Sequence, residues 1–173
     1  TDVVKKSEVV ILSIKPQVYK TVIDEIKSPL NPGTLIVTIA AGITIRDVKE
    51  SFGHDLKVIR IMPNTPALVG EGMTAIAYES PAEESDADFA KKIFSSFGVV
   101  EDVKEELFDA VTAVSGSSPA FVFMFIEAMA DAAVLLGLPR DKAYVFASQA
   151  VKGAAKLAAE SGKHPGQLKD MVC

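Results

Sequence analysis

Cysteine, histidine and tryptophan are nearly or wholly missing from this chain of 173 residues, and each shortage removes a class of chemistry. The one cysteine, Cys173, is the last residue, so neither an internal disulfide nor a thiolate metal cluster can form, and a reducing, cytoplasmic setting is expected. Two histidines, His54 in a Gly-His-Asp turn and His164 before a proline, leave the serines without a suitable base, which disfavours acyl transfer. No Asp, His or Cys spacing resembles a metal site. Basic charge is scarce too. The 18 Lys and Arg against 23 Asp and Glu give a net charge of -5, without the clustered cations that nucleic acid needs. Aromatics are 7% of residues against 49% hydrophobic overall, so aliphatic side chains fill the core, which suits parallel strands covered by helices.

The opening residues do not read as a secretory signal. Residues 119–138, PAFVFMFIEAMADAAVLLGL, are long and apolar enough to span a membrane. Glu127 and Asp131, one helical turn apart near the middle of this run, would be costly in hydrocarbon, so a soluble helix buried on most sides is expected.

Hydrophobic periodicity predicts strands at 8–14, 34–39, 57–62, 73–78 and 98–103. Helices are predicted between them at 16–26, opened by Pro16, at 44–52, capped by Thr44, and at 85–97. The alternation implies a doubly wound, mostly parallel α/β sheet. From residue 105 only helices are expected, at 105–114, 119–136, 139–161 and from Pro165. The expected division is therefore a partial dinucleotide-binding domain at 1–104 and a helical domain at 105–173. No Gly-x-Gly-x-x-Gly turn is present, so the sheet reads as lacking its first strand, phosphate turn and helix.

Open α/β sheets bind ligands at the carboxyl ends of their strands. Three such ends carry unusual residues: Ser13-Ile14-Lys15-Pro16, Ala40-Ala41-Gly42, and Met62-Pro63-Asn64-Thr65-Pro66. Prolines on both sides of Asn64 and Thr65 restrict the backbone, and small residues at 40–42 permit close approach to the main chain. Ser115-Gly116-Ser117-Ser118-Pro119-Ala120 reads as a hydroxyl-rich hinge able to bind an anion or a ring, with Ser118 a natural N-cap. Glu105, Glu106 and Asp109 suit the first turns of a helix, where the macrodipole favours acids.

Taken in order, IKPQ (14–17), AAG (40–42), MPNTPALVGEGMTA (62–75), DAVTAVSGSSPAFVF (109–123), GLPR (137–140) and HPGQLKD (164–170) resemble pyrroline-5-carboxylate reductase from end to end. The resemblance implies reduction of the cyclic imine 1-pyrroline-5-carboxylate to L-proline with NADPH or NADH, the last step of proline biosynthesis. It implies cofactor contacts at Ser13, Ile14, Lys15, Pro16, Ala40, Ala41, Gly42 and Asn64. The position matching Met171, often polar in the family, lies near the cofactor. Substrate contacts are implied at Glu105, Ser117 and Pro119, and no catalytic residue is assigned within the chain. The helices from Glu105 onward resemble the part through which these enzymes form intertwined dimers, so the resemblance implies a homodimer and allows further assembly of dimers. No metal, nucleic acid or membrane partner is implied.

Three departures stand beside this likeness. Ser118 occupies a position that is usually glycine; the nucleotide fingerprint is absent; and the Ser-Pro-Gly-Gly-Thr-like loop that comes after the helix at 165–170 in the family is not in these residues. Two other readings therefore remain, a non-catalytic dimerising fragment of such an enzyme and another NAD(P)-dependent dehydrogenase with a helical C-terminal domain.

Overall fold

The computed structural model describes residues 2–173. Its elements run α1 (Asp2–Lys5), β1 (Val9–Leu12), α2 (Tyr19–Ile26), β2 (Leu35–Thr38), α3 (Ile45–Phe52), β3 (Val58–Met62), β4 (Gly72–Glu79), α4 (Glu84–Phe94), β5 (Gly98–Asp102), α5 (Phe108–Val111), α6 (Ser118–Leu135), α7 (Arg140–Ser161) and α8 (Pro165–Asp170). Single 3-10 turns precede α2 and α5 and follow β3 and α4. The chain divides into two compact units, one ending at Pro119 and one comprising Ala120–Cys173.

The first unit is a five-stranded sheet in sequential order, β1 to β5. β1–β2, β2–β3 and β4–β5 pair in parallel, and β3–β4 antiparallel, Met62 standing opposite Ala75. The mostly parallel sheet expected from the alternation is therefore present. β2 and β3 are buried along their whole length, as their aliphatic runs, interrupted only by Thr38 and Arg60, require. One face packs Ile36, Val58 and Ala75 under α2 and α3 through Ile23, Val48 and Phe52. The other packs Leu35, Val37, Ile59, Ile61 and Ile76 against Ala87, Ala90 and Phe94 of α4. Gly98 makes the β4–β5 pairing possible, because a Cβ there would fall on the Gly72 backbone.

The second unit is helical. Ala130 of α6 packs on Ala143 and Ala147 of α7, with Ile126, Met129 and Leu138 around them. The expectation that the apolar run at 119–138 is buried on most sides does not hold within this chain. Ala130 is the one fully buried residue of α6, while Phe121, Phe123, Met124 and Phe125 are exposed. The helix is apolar around its circumference, so a single neighbour covers one stripe and leaves the rest bare. Asp131 pairs with Arg140 and Glu127 is exposed.

Candidate functional site

Because β1, β2 and β3 are adjacent and parallel, their carboxyl ends present residues 13–16, 40–42 and 63–66 along one edge of the sheet. Lys15 is extended (φ -71°, ψ 146°), and Pro16 opens the next turn, as a residue before proline and a proline at a helix start should. Ser13, Lys15 and Pro16 are exposed, while Ile14 is half-buried against the core. Ala40 is buried, and Ala41 and Gly42 are exposed. Gly42 has φ 74° with open space where a Cβ would stand, so this loop needs glycine for its conformation and leaves the main chain accessible.

A buried hydroxyl pair lies beneath that loop. Tyr19 Oη donates to Thr38 Oγ1 at 3.1 Å, and the same oxygen accepts the Ala40 N–H at 3.4 Å. Burial raises the Tyr19 pKa, so the phenol stays a neutral donor.

The helix after the loop, α3, begins with a capping box: Thr44 Oγ1 accepts from Asp47 N–H, and Asp47 accepts the Thr44 N–H at 2.8 Å. The hydrogen bonds from Thr44 hold the Asp47 carboxyl below its usual range. A second carboxylate arrives from far along the chain. Glu105 Oε1 accepts the Ile45 N–H at 2.8 Å and a hydrogen bond from Arg60 Nη1 at 3.0 Å. Arg60, on β3, is 5% exposed and lies 4.5 Å from the centre of the Phe108 ring. Glu105 thus serves a helix other than its own. This N-terminus already carries two protein carboxylates, which makes it a poor seat for a cofactor phosphate.

The proline-flanked loop leads from β3 into a 3-10 turn, Thr65–Val69. Half-buried Asn64 uses its amide twice: Oδ1 accepts the Met73 N–H at 2.8 Å, and Nδ2 donates to the Ser115 carbonyl at 3.0 Å. Beside it opens an apolar cleft of ≈ 470 Å³, whose walls include Ile39, Pro63, Asn64, Phe94, Phe97 and Gly116.

The expected hinge at 115–120 is instead helical. A π turn, Thr112–Gly116, comes after α5, and α6 starts at Ser118, so Ser118 lies within the helix and caps nothing. Ser117 is exposed and Pro119 half-buried. The structure joins the sequence-derived residues into two neighbourhoods. Glu105 is tied to Ile45, just beyond the loop at 40–42, and Asn64 is tied to the turn preceding Ser117 and Pro119. Met171 belongs to the second unit, where it is exposed and receives a contact from Lys163 Nζ at 3.4 Å. In α8 the His164 ring caps the helix, Nδ1 accepting from the Gly166 N–H at 3.1 Å.

Arg60, Tyr19 and Thr38 are the residues that motif reading misses. Arg60 had a signal: a lone arginine within the aliphatic strand Val58–Met62 must be buried and needs an acid and a ring.

Residues 105–173 match the family described as pyrroline-5-carboxylate reductase dimerisation, and residues 1–42 match the family described as NADP oxidoreductase, coenzyme F420-dependent. The pyrroline-5-carboxylate reductase of Escherichia coli (strain K12) is 50% identical over 172 residues, covering 99% of this chain and 64% of that protein. The chain is a relative of the pyrroline-5-carboxylate reductases. The Pisum sativum reductase is 47% identical over 171 residues, covering 99% of this chain and 62% of its own. Among solved structures, Plasmodium falciparum pyrroline carboxylate reductase with NADP bound superimposes with a TM-score of 0.91 at 32% identity, over 99% of this chain and 65% of that one. The Streptococcus pyogenes reductase gives 0.89 at 35%, with the same coverage. The chain therefore spans slightly less than two thirds of the length of these reductases.

Proposed function

We propose that this chain is part of a cytoplasmic reductase that converts 1-pyrroline-5-carboxylate to L-proline with NADPH or NADH, the last step of proline biosynthesis. The observation that carries the reading is the 50% identity to the Escherichia coli reductase along 99% of the chain, with the candidate motifs lying along the carboxyl edge of the sheet. The proposed arrangement is a dinucleotide-binding part at 1–104 and a helical substrate and dimerisation part at 105–173.

The residues present fit the ring end of a nicotinamide cofactor. Gly42 leaves open main chain, Ala41 is small, and the neighbouring cleft is apolar. The proposed cofactor wall comprises Ser13, Ile14, Lys15, Pro16, Ala40, Ala41 and Gly42, with Asn64 lining it through its main chain, since both ends of its amide are spent on Met73 and Ser115; Met171 is proposed as a cofactor contact from the family resemblance alone. Glu105, Ser117 and Pro119 are proposed for the substrate side. A nicotinamide cofactor held there would supply the hydride for the imine carbon, the C=N π pair becoming the nitrogen lone pair and one proton being taken up to give proline. The chain's share of the work is to hold the two rings face to face and exclude water, so positioning dominates over acid–base groups. Protonation makes the imine a strong hydride acceptor, which suits a crevice with few ionisable groups.

Homodimerisation, with further assembly of dimers, is part of the proposal. The exposed apolar faces of α6 and α7, including Phe121, Phe125 and Phe146, support it, because such area is normally covered. Glu127, together with the Asp131–Arg140 pair, supports a protein partner over lipid for α6.

The test is imine-dependent oxidation of NADPH and NADH by the full-length protein, with proline identified as product. Absence of proline would reject the reading. A second reading, assembly without turnover by these 173 residues alone, is favoured by one feature: they contain no Gly-x-Gly-x-x-Gly phosphate turn. A purified 173-residue chain that dimerises without oxidising NADPH would support it.

A further inference from the structure

Helical runs do not widen into a π turn without a cause, and here the cause is legible in hydrogen bonds. In an unbroken α-helix the Ser115 carbonyl would accept the N–H of residue 119. That residue is Pro119, which has no N–H and whose ring crowds the carbonyl four positions before it. The ladder slips accordingly, with Ser117 N–H bonding Thr112 O five positions back at 2.8 Å. The hydroxyls of Thr112 and Ser115 turn back onto Phe108 O and Val111 O at 2.8 and 3.0 Å, which loosens the α ladder further. The carbonyl that Pro119 cannot serve is taken by Asn64 Nδ2. Because Asn64 Oδ1 also accepts the Met73 N–H, the amide can stand in only one orientation, with a donor toward the turn and an acceptor toward β4.

We infer that Asn64 is a positioning residue: it replaces the N–H that Pro119 lacks, holds the π turn, and through that turn sets Ser117 and Pro119 beside the crevice. The extra residue in the turn rotates the start of α6 by about 100° relative to an uninterrupted helix, so relaxing the turn displaces both residues. The inference rests on the reductase reading for the roles of Ser117 and Pro119, and on the hydrogen bonds alone for how they are held.

Asn64→Asp in the full-length protein tests it. One carboxylate oxygen still accepts from Met73, while the other has no hydrogen to give Ser115. The expected result is a fall in kcat of about ten- to a hundredfold with the Kd for NADPH changed less than about threefold. Hydrogen exchange should show the Ser117 amide deprotected and the Met73 amide still protected. Adding Pro119→Ala restores a helical donor to Ser115 and should return protection to Ser117. An unchanged Ser117 amide, or an unchanged kcat despite its deprotection, overturns the inference. Loss of NADPH binding in step with kcat, with Ser117 still protected, overturns it in favour of a cofactor contact made by the Asn64 amide itself. A wild-type protein that makes no proline would sink the reductase reading and the positioning role with it, while the exchange pattern still decides whether Asn64 holds the turn.

Discussion

Removing the Glu105 carboxylate should destabilise the protein well before any question of catalysis arises. Its Oε1 is shared by the Ile45 N–H and the Arg60 guanidinium, so Glu105→Ala takes away a helix cap and a counter-charge together. Loss of the cap costs about 1 kcal/mol. Arg60 is 5% exposed and its Nε already has no hydrogen-bond partner among the described residues, so it would be left as a buried charge against the Phe108 ring. Breaking a fully buried pair costs about 3–5 kcal/mol. The Glu105 side chain is 27% exposed, so water moderates this contribution, and a total of about 2–3 kcal/mol is expected. In a protein of this size that corresponds to a fall in Tm of roughly 5–10 °C. The assay is thermal and urea unfolding of the full-length protein carrying Glu105→Ala, Arg60→Met, or both substitutions together. Replacing both charges should recover at least part of the loss, because no ion is then left buried alone. A Glu105→Ala shift of less than about 1 °C, or strictly additive single-variant costs, would refute the reasoning.

Other expectations concern separate parts of the molecule. The folded-state pKa of Asp47 is depressed by its bonds from Thr44, so the capping box contributes fully above the unfolded carboxylate pKa and is lost as pH falls through the folded value; Thr44→Ala should flatten that part of an acid unfolding curve. The Tyr19 pKa is raised by burial, so its contribution is present below the unfolded phenol pKa and lost as pH rises through the folded one; Tyr19→Phe should lessen alkaline destabilisation. Gly98→Ala should cost about 1–3 kcal/mol and expose β5 amides to exchange, since the new methyl group meets the Gly72 backbone; unchanged β5 protection would count against the close approach. Phe125→Glu on the bare face of α6 should shift light-scattering mass from oligomer to monomer, and an unaltered mass would place the interface elsewhere.

Much of the first unit was readable from residue pattern alone. The aliphatic runs at 35–38 and 58–62 need burial on both faces, and Thr44 with Asp47 spells a helix start, so strands and caps come from local chemistry. Pattern reading failed where a proline acts on a carbonyl four residues earlier. Ser115 to Ala120 looks like a hinge because its composition is that of a loop, yet Asn64, 51 positions upstream of Ser115, supplies the hydrogen bond that keeps it helical. The short helix α1 and the exposure of α6 were missed for a related reason, since the cover over a segment is not written in its own periodicity.

The sequence by itself determined the alternation of strand and helix, the three motif-bearing strand ends and the family likeness, because each depends on residues close together in the chain. Tertiary structure alone decided that Glu105 caps α3 and neutralises Arg60, and that Asn64 is spent on two backbone groups. Those partners lie 45 to 60 positions from Glu105 and 9 and 51 from Asn64. A hydrogen bond is settled by distance and angle in space, and spacing along the chain carries no record of either.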